Sequence, residues 1–320
     1  MAATSAMESA PAVALRSVLN RVGKATEVSG RRPDQVKVVA VSKTKPVSVL
    51  REVYDAGHRC FGENYVQEIV DKAPQMEVNE YQTENEGDGN RAVGIVVVVV
   101  GGVVENTIMV VICGGVVVCK RGGNGGLRVA LPEDIEWHFI GNLQSNKVKA
   151  LLCKALFSVR CPNLAMVETV DDEKVSNDWQ HIANHLDRAV GNLEENLESF
   201  GPSEYQWRNM ICSCCAKFGV EPSGCVDLAK HVCLNCPNLE FCGLMTIGML
   251  DYTSTPENFK TLANCSRSEV CRALGIKEDQ CELSMGMSSD FDLAIEMGSS
   301  IVRIGSTIFG AREYPKKQQS

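Results

Sequence analysis

The feature that most constrains this chain is a recurring unit: a short β-branched run ends in glycine or a polar residue, and helical spacing follows. The first unit is Val36 to Val41, continued by Ser42-Lys43-Thr44-Lys45-Pro46. Apolar β-branched residues without alternation suit a parallel strand covered on both faces, and Pro46 stops the strand soon after. Lys43 then stands at the strand's C-terminal mouth. Apolar walls disfavour the charged form of a lysine there, which leaves its amine able to attack an aldehyde and form a Schiff base. A lysine that points into solvent is an equal reading of this stretch alone.

Further units follow in order. Leu15, Val18, Leu19 and Val22 give the Met1 to Arg31 stretch the spacing of an amphipathic cover helix. Ser48 to Ala56 reads as a helix stopped by Gly57, Arg59 to Tyr65 as a second strand and its mouth, and Val66 to Ala73 as the next helix. Asn64 ends that second strand, where it can bond a cofactor or serve as an ordinary turn residue. Later strands fall at Glu136 to Gln144, Leu164 to Val170, Phe241 to Gly248, Leu283 to Ser288 and Ile301 to Ser306. Helices are expected over Ser145 to Leu152, Ser223 to Val232 and Asp290 to Met297. Seven strands with a gap in the middle predict a TIM-type (β/α)8 barrel with one strand obscured.

In such a barrel the loops after the seventh and eighth strands are the usual phosphate site. Gly305-Ser306-Thr307 offers unobstructed backbone N–H groups there, and Ser288 offers a hydroxyl, although Gly305 alone reads more readily as an ordinary tight turn. Arg303 lies on the strand two residues earlier, and an arginine directed into a barrel mouth needs an acceptor.

Composition closes off other classes. The chain has 320 residues and a formal net charge of -8, with no basic cluster, which argues against a nucleic-acid partner. Fifteen cysteines are present, but no apolar leader with a cleavage site opens the chain, so reduced thiols and a cytoplasmic location are expected. Cys212-x-Cys214-Cys215 is too tightly spaced for a usual zinc site, and Cys233-x-x-Cys236 ends a helix; both read as structural thiols. His138 reads as a packed mouth residue.

Met76 to Ala130 breaks the alternation. Its apolar part, Ile95 to Cys119, meets the roughly 20-residue length of a membrane span. Glu105, Asn106, paired glycines and the dominance of valine argue against a membrane helix and for a low-complexity insertion.

Six motifs carry a resemblance. Val41-Ser42-Lys43-Thr44-Lys45-Pro46, Phe61-Gly62-Glu63-Asn64-Tyr65-Val66-Gln67-Glu68, Trp137-His138-Phe139-Ile140-Gly141, Gly243-Leu244-Met245-Thr246-Ile247, Leu283-Ser284-Met285-Gly286-Met287-Ser288 and Val302-Arg303-Ile304-Gly305 are similar, in order, to the pyridoxal phosphate homeostasis protein family. The resemblance implies a fold type III barrel like the N-terminal domain of alanine racemase, binding pyridoxal 5′-phosphate (PLP) as a Schiff base on Lys43. By the same resemblance Ser288, Gly305 and Ser306 hold the phosphate, Arg303 faces the pyridine nitrogen and Asn64 is a further contact. It implies a carrier in intracellular PLP (vitamin B6) homeostasis, with PLP-dependent apoenzymes as recipients, in place of a catalyst. The alternatives are a racemase or decarboxylase using the same lysine, and an aldolase-like enzyme forming a Schiff base with its substrate. Only about ten residues follow Gly310, which leaves no room for the β-rich domain that gives racemases a second base.

The chain departs from the family at 76-130, 153-161 and 176-182, read as insertions within one barrel domain over 1-320, and at an anomalous segment, 195-216. The family's fifth strand, approximately LKVLVQVNTSGE, is missing before Phe218. Leu197 to Arg208 stands in its place, and codons for those twelve residues, read one nucleotide later, can give the family strand. The segment thus reads as that strand translated out of frame, which the transcript sequence tests. Pro202 and the charged residues predict a disrupted fifth strand and an open sheet edge, with Met210 to Cys215 available to fill the slot.

Overall fold

The computed structural model describes residues 8–72, 134–148, 151, 164–194, 207–212, 219–248 and 255–311, together with strand residues 96–97, 107–112, 115–121 and 127–128. Eight strands form a closed barrel: β1 (Lys37–Val41), β2 (Cys60–Glu63), β3 (Glu136–Phe139), β4 (Leu164–Val170), β5 (Trp207–Cys212), β6 (Leu239–Met245), β7 (Glu282–Ser284) and β8 (Ile301–Ile304). Each pairs in parallel with its sequence neighbours, and β8 closes on β1 through the register Val39↔Arg303 and Ala40↔Ile304.

The unbroken apolar runs reflect burial on both faces. Val38, Ala40, Phe61, Trp137, Phe139, Leu244 and Val302 pack outward against the helices. Val39, Cys60, Met166, Met210, Cys212, Cys242, Met245 and Ile301 fill the barrel itself. Helix α1 (Ala10–Val28) starts with Pro11 in its first turn, where a missing N–H costs nothing, and buries Leu15, Val18 and Val22. Each such side chain contributes about 1.5–3 kcal/mol by leaving water. Helices α2 (Val47–Asp55) and α3 (Val66–Lys72) follow β1 and β2, and α4 (Glu173–Glu194) follows β4. Residues 176–182 are helical turns within α4, so this departure from the family lengthens no loop between described elements.

The fifth strand corrects one expectation. Trp207–Cys212 occupies the slot between β4 and β6, pairing Val167↔Asn209 on one side and Leu244↔Ile211 on the other. The sheet edge expected to be open is therefore filled. A register shift at Phe241/Gly243 accommodates the substitute strand. Most of the anomalous segment, including residues 195–206, lies outside the described residues, as do the expected insertion at 153–161 and Cys214 and Cys215.

Within 76–130, Val96–Val97, Thr107–Ile112, Gly115–Arg121 and Leu127–Arg128 form a four-stranded antiparallel sheet separate from the barrel ladder. β-branched runs broken by glycine pairs favour strands and turns over helix. Among the described residues, no helix is long and apolar enough to cross a membrane.

Candidate cofactor-binding site

The C-terminal ends of β7, β8, β1 and β2 are consecutive around the barrel, and the six expected site residues lie on those four mouths. Ser288 follows β7, Arg303 lies in β8 with Gly305 and Ser306 just beyond, Lys43 follows β1 and Asn64 follows β2. Gly305 packs so closely on β1 that an added Cβ would meet the Val41 carbonyl at 3.2 Å. That contact draws the Gly305 turn against the strand that leads to Lys43.

The Ser288 hydroxyl gathers two backbone donors. The N–H groups of Gly305 and Thr307 point to its Oγ at 3.2 and 3.4 Å, and Thr307 Oγ1 donates to the Ser288 carbonyl at 3.4 Å. Ser306 between them is exposed, so its side chain is open to solvent. Two convergent N–H groups and hydroxyls in a partly buried loop suit an anionic group. On the opposite side of the lysine mouth, Asn64 Oδ1 is buried and has no hydrogen-bond partner. An added Cβ at Gly141 would meet the Asn64 carbonyl at 1.9 Å, so only glycine allows the β3 mouth to approach there. A buried acceptor without a partner is the kind of group a bound molecule satisfies.

Arg303 is 4% exposed and held inside the barrel. Its Nη2 donates to the Thr246 carbonyl at 2.7 Å, its Nη1 to Ser284 Oγ, and Glu168 Oε2 lies 3.7 Å away. Glu168 in turn accepts from Ser284 Oγ and faces His138 Nδ1 at 2.7 Å. Burial opposes ionisation of Glu168, but His138, Arg303 and Ser284 outweigh it and keep the carboxyl below its ordinary range. Burial likewise opposes charge on His138, yet Cys60 and Glu168 raise its pKa to about 10. His138 is thus fully buried inside the barrel and paired with Glu168, packed as the sequence suggested.

A second network braces the lysine turn from outside the barrel. Ser42 Oγ donates to Glu63 Oε1 at 2.6 Å, while Lys72 Nζ donates to the Ser42 carbonyl at 3.0 Å, to Glu63 Oε1 at 2.9 Å and to Glu68 Oε2. Thr44 has φ 64°, a left-handed conformation unfavourable for a β-branched residue, and its N–H donates to Glu68 Oε2 at 2.8 Å. The residues on both sides of Lys43 are thus fixed to β2 and α3. Burial raises the Glu63 pKa to about 7, with Lys72 and Ser42 opposing the shift. Lys43 itself is half-buried in this turn.

Glu168, Ser284 and the Glu63–Lys72 pair were not singled out from the sequence. The available signal was a lone carboxylate inside an apolar strand, Met166-Val167-Glu168-Thr169-Val170, which burial requires to be partnered. Of the cysteines set aside as structural, Cys212 fills the barrel and Cys236 is buried with its thiol towards the Ser176 carbonyl, while Cys233 is exposed.

No family model matches the chain. Among curated proteins it is 35% identical over 315 residues to the pyridoxal phosphate homeostasis protein of Homo sapiens, covering 95% of this chain and 87% of the relative. It is 30% identical over 306 residues to the protein of that name from Aquifex aeolicus, covering 94% of this chain and 97% of the relative. Solved structures share the fold. PipY of Synechococcus elongatus with PLP bound has a TM-score of 0.55 at 23% identity, over 92% of this chain and 100% of that one. Alanine racemase from Corynebacterium glutamicum has a TM-score of 0.50 at 10% identity, over 93% of this chain and 62% of the racemase. With curated relatives at 30% identity or more over nearly the whole of its length, the chain belongs to the pyridoxal phosphate homeostasis protein family.

Proposed function

We propose that this chain binds PLP at the C-terminal mouth of the barrel, anchors it on Lys43, and holds it in reserve for PLP-dependent apoenzymes without turning over a substrate of its own. The observation that carries the reading is the sequence of mouths β7, β8, β1 and β2. It joins an anion-suited loop at Ser288 and Gly305, a buried arginine, the lysine turn and the unpartnered Asn64 Oδ1 in one arc. The family name and the PLP-bound PipY neighbour support the same ligand.

When bound, PLP supplies an aldehyde that condenses reversibly with a primary amine. The chain's own residues divide the remaining work. Ser288 and the N–H groups of Gly305 and Thr307 receive the phosphate, with Ser306 beside them. Asn64 offers its free acceptor. The network of Ser42, Glu63, Glu68 and Lys72 holds the turn that presents the Lys43 amine.

Arg303 favours storage over catalysis. Its guanidinium is already committed to Ser284, Thr246 and Glu168, which fixes it in place. At the pyridine edge a fixed cation disfavours the protonation that carbanion chemistry needs. Titrating the purified full chain with PLP tests the reading. Saturable uptake of one PLP per chain is expected, with no exchange of the α-proton of added amino acids in heavy water. Absence of uptake by folded protein would overturn PLP binding, and α-proton exchange would favour the racemase reading.

A further inference from the structure

The lower half of the barrel holds a cluster that PLP binding does not use. Cys60 and Glu136 are direct partners across β2 and β3, and His138 stands two residues further along β3, on the same face. Their ligand atoms lie within 4.8 Å of one another. Cys60 and His138 are buried, while Glu136 is exposed, with its side chain 48% accessible.

A second observation concerns the histidine. Its Nδ1 faces Glu168 at 2.7 Å, which leaves Nε2 for the cluster, and Nε2 is buried without a hydrogen-bond partner. A carboxylate on one ring nitrogen and a metal on the other is the usual arrangement of a metal-bound histidine, because the carboxylate fixes the ring and raises its basicity. A third observation is access. A cavity of about 400 Å³, lined by Leu19, Val22, Val36, His58, Cys60 and Glu136 among others, reaches the cluster near the N-terminal end of β1. Lys37 occupies Glu136 Oε2 at 2.7 Å, and Oε1 remains for another cation.

We infer that Cys60, Glu136 and His138 form a binding site for a borderline divalent cation of the zinc class, with its open coordination position towards the cavity. One thiolate, one imidazole and one carboxylate match the ligand preferences of zinc, at bond lengths of about 2.0–2.3 Å that rotation about the side-chain torsions brings within reach. Binding releases the thiol proton of Cys60 and the proton on His138 Nε2 to solvent. Lys37 and Arg208 are the nearby positive charges that oppose the cation. The ion takes the Nε2 lone pair once that proton has left, which gives this buried atom a partner.

The test uses the full chain treated with a chelator and then titrated with Co2+. One Co2+ per chain is expected, with thiolate-to-cobalt charge-transfer absorption that Zn2+ abolishes by displacement. Cys60→Ser should remove the charge-transfer band. Glu136→Gln, at an exposed position, should weaken Co2+ binding by about tenfold or more while leaving circular dichroism unchanged. Folded wild-type protein that shows no such band overturns the site. A band and affinity unchanged in Glu136→Gln also overturn it, because they assign the ion to other thiols such as Cys233. The Glu136 variant decides the matter if Cys60→Ser fails to fold.

Discussion

Glu63 and Glu168 are both fully buried, and their surroundings push them in opposite directions. Glu63 is raised to about 7 by burial. Between the ordinary carboxylate value near 4.5 and that value, the folded state keeps a proton that the unfolded chain has released, so stability falls as pH rises through this window. Glu63→Gln should flatten that fall, which urea titrations at several pH values between about 4.5 and 7 would register. An unchanged slope would assign it to another group. Glu168 has the opposite sign, because a lowered pKa adds stability above the ordinary carboxylate range that is lost as pH falls through the folded value. Arg303 is part of that balance. Arg303→Met removes the guanidinium from a buried carboxylate and should cost about 3–5 kcal/mol in chemical denaturation. A loss below 1 kcal/mol would mean that His138 and Ser284 alone satisfy Glu168.

At the scale of elements, β5 is the strand the sequence hid. Trp207-Arg208-Asn209-Met210-Ile211-Cys212 lacks the β-branched run that marks β1, yet its neighbours on both sides supply the pairing. Asn209 is buried with its Nδ2 on the Glu240 carbonyl at 3.0 Å, which explains how a polar residue is tolerated there. Local propensity was overridden by the slot that seven correctly placed strands left open. Met210 is fully buried in the barrel interior, so Met210→Ala should cost about 2–5 kcal/mol by urea unfolding. A change within about 0.5 kcal/mol would indicate a surface segment in place of a core strand. The other barrel strands were legible because their apolar runs and glycine mouths are local signals, and their observed ends differ from expectation by a few residues. The sheet within 76–130 was not legible as a sheet, since repeated valines suit several structures and fix no register.

For the whole molecule, the neighbourhood of the four mouths was legible, because a closed barrel sets the ends of consecutive strands side by side. What supports them was not. Glu63 and Lys72 are nine residues apart, and Glu168 and Arg303 more than a hundred, so only the fold brings each pair together. Ligand binding acts on this whole. PLP at a hundred times its dissociation constant should add about 2.7 kcal/mol of stability by mass action, an upward shift in Tm that Lys43→Ala should largely lose while its PLP-free melting is retained. The anchoring of PLP on Lys43 is tested by borohydride reduction of the PLP-loaded full chain, followed by peptide mapping of the label. One labelled lysine, Lys43, is expected, with no label in Lys43→Ala. A label on Lys45 or Lys72 in the wild-type protein, or none on folded and loaded protein, would contradict it.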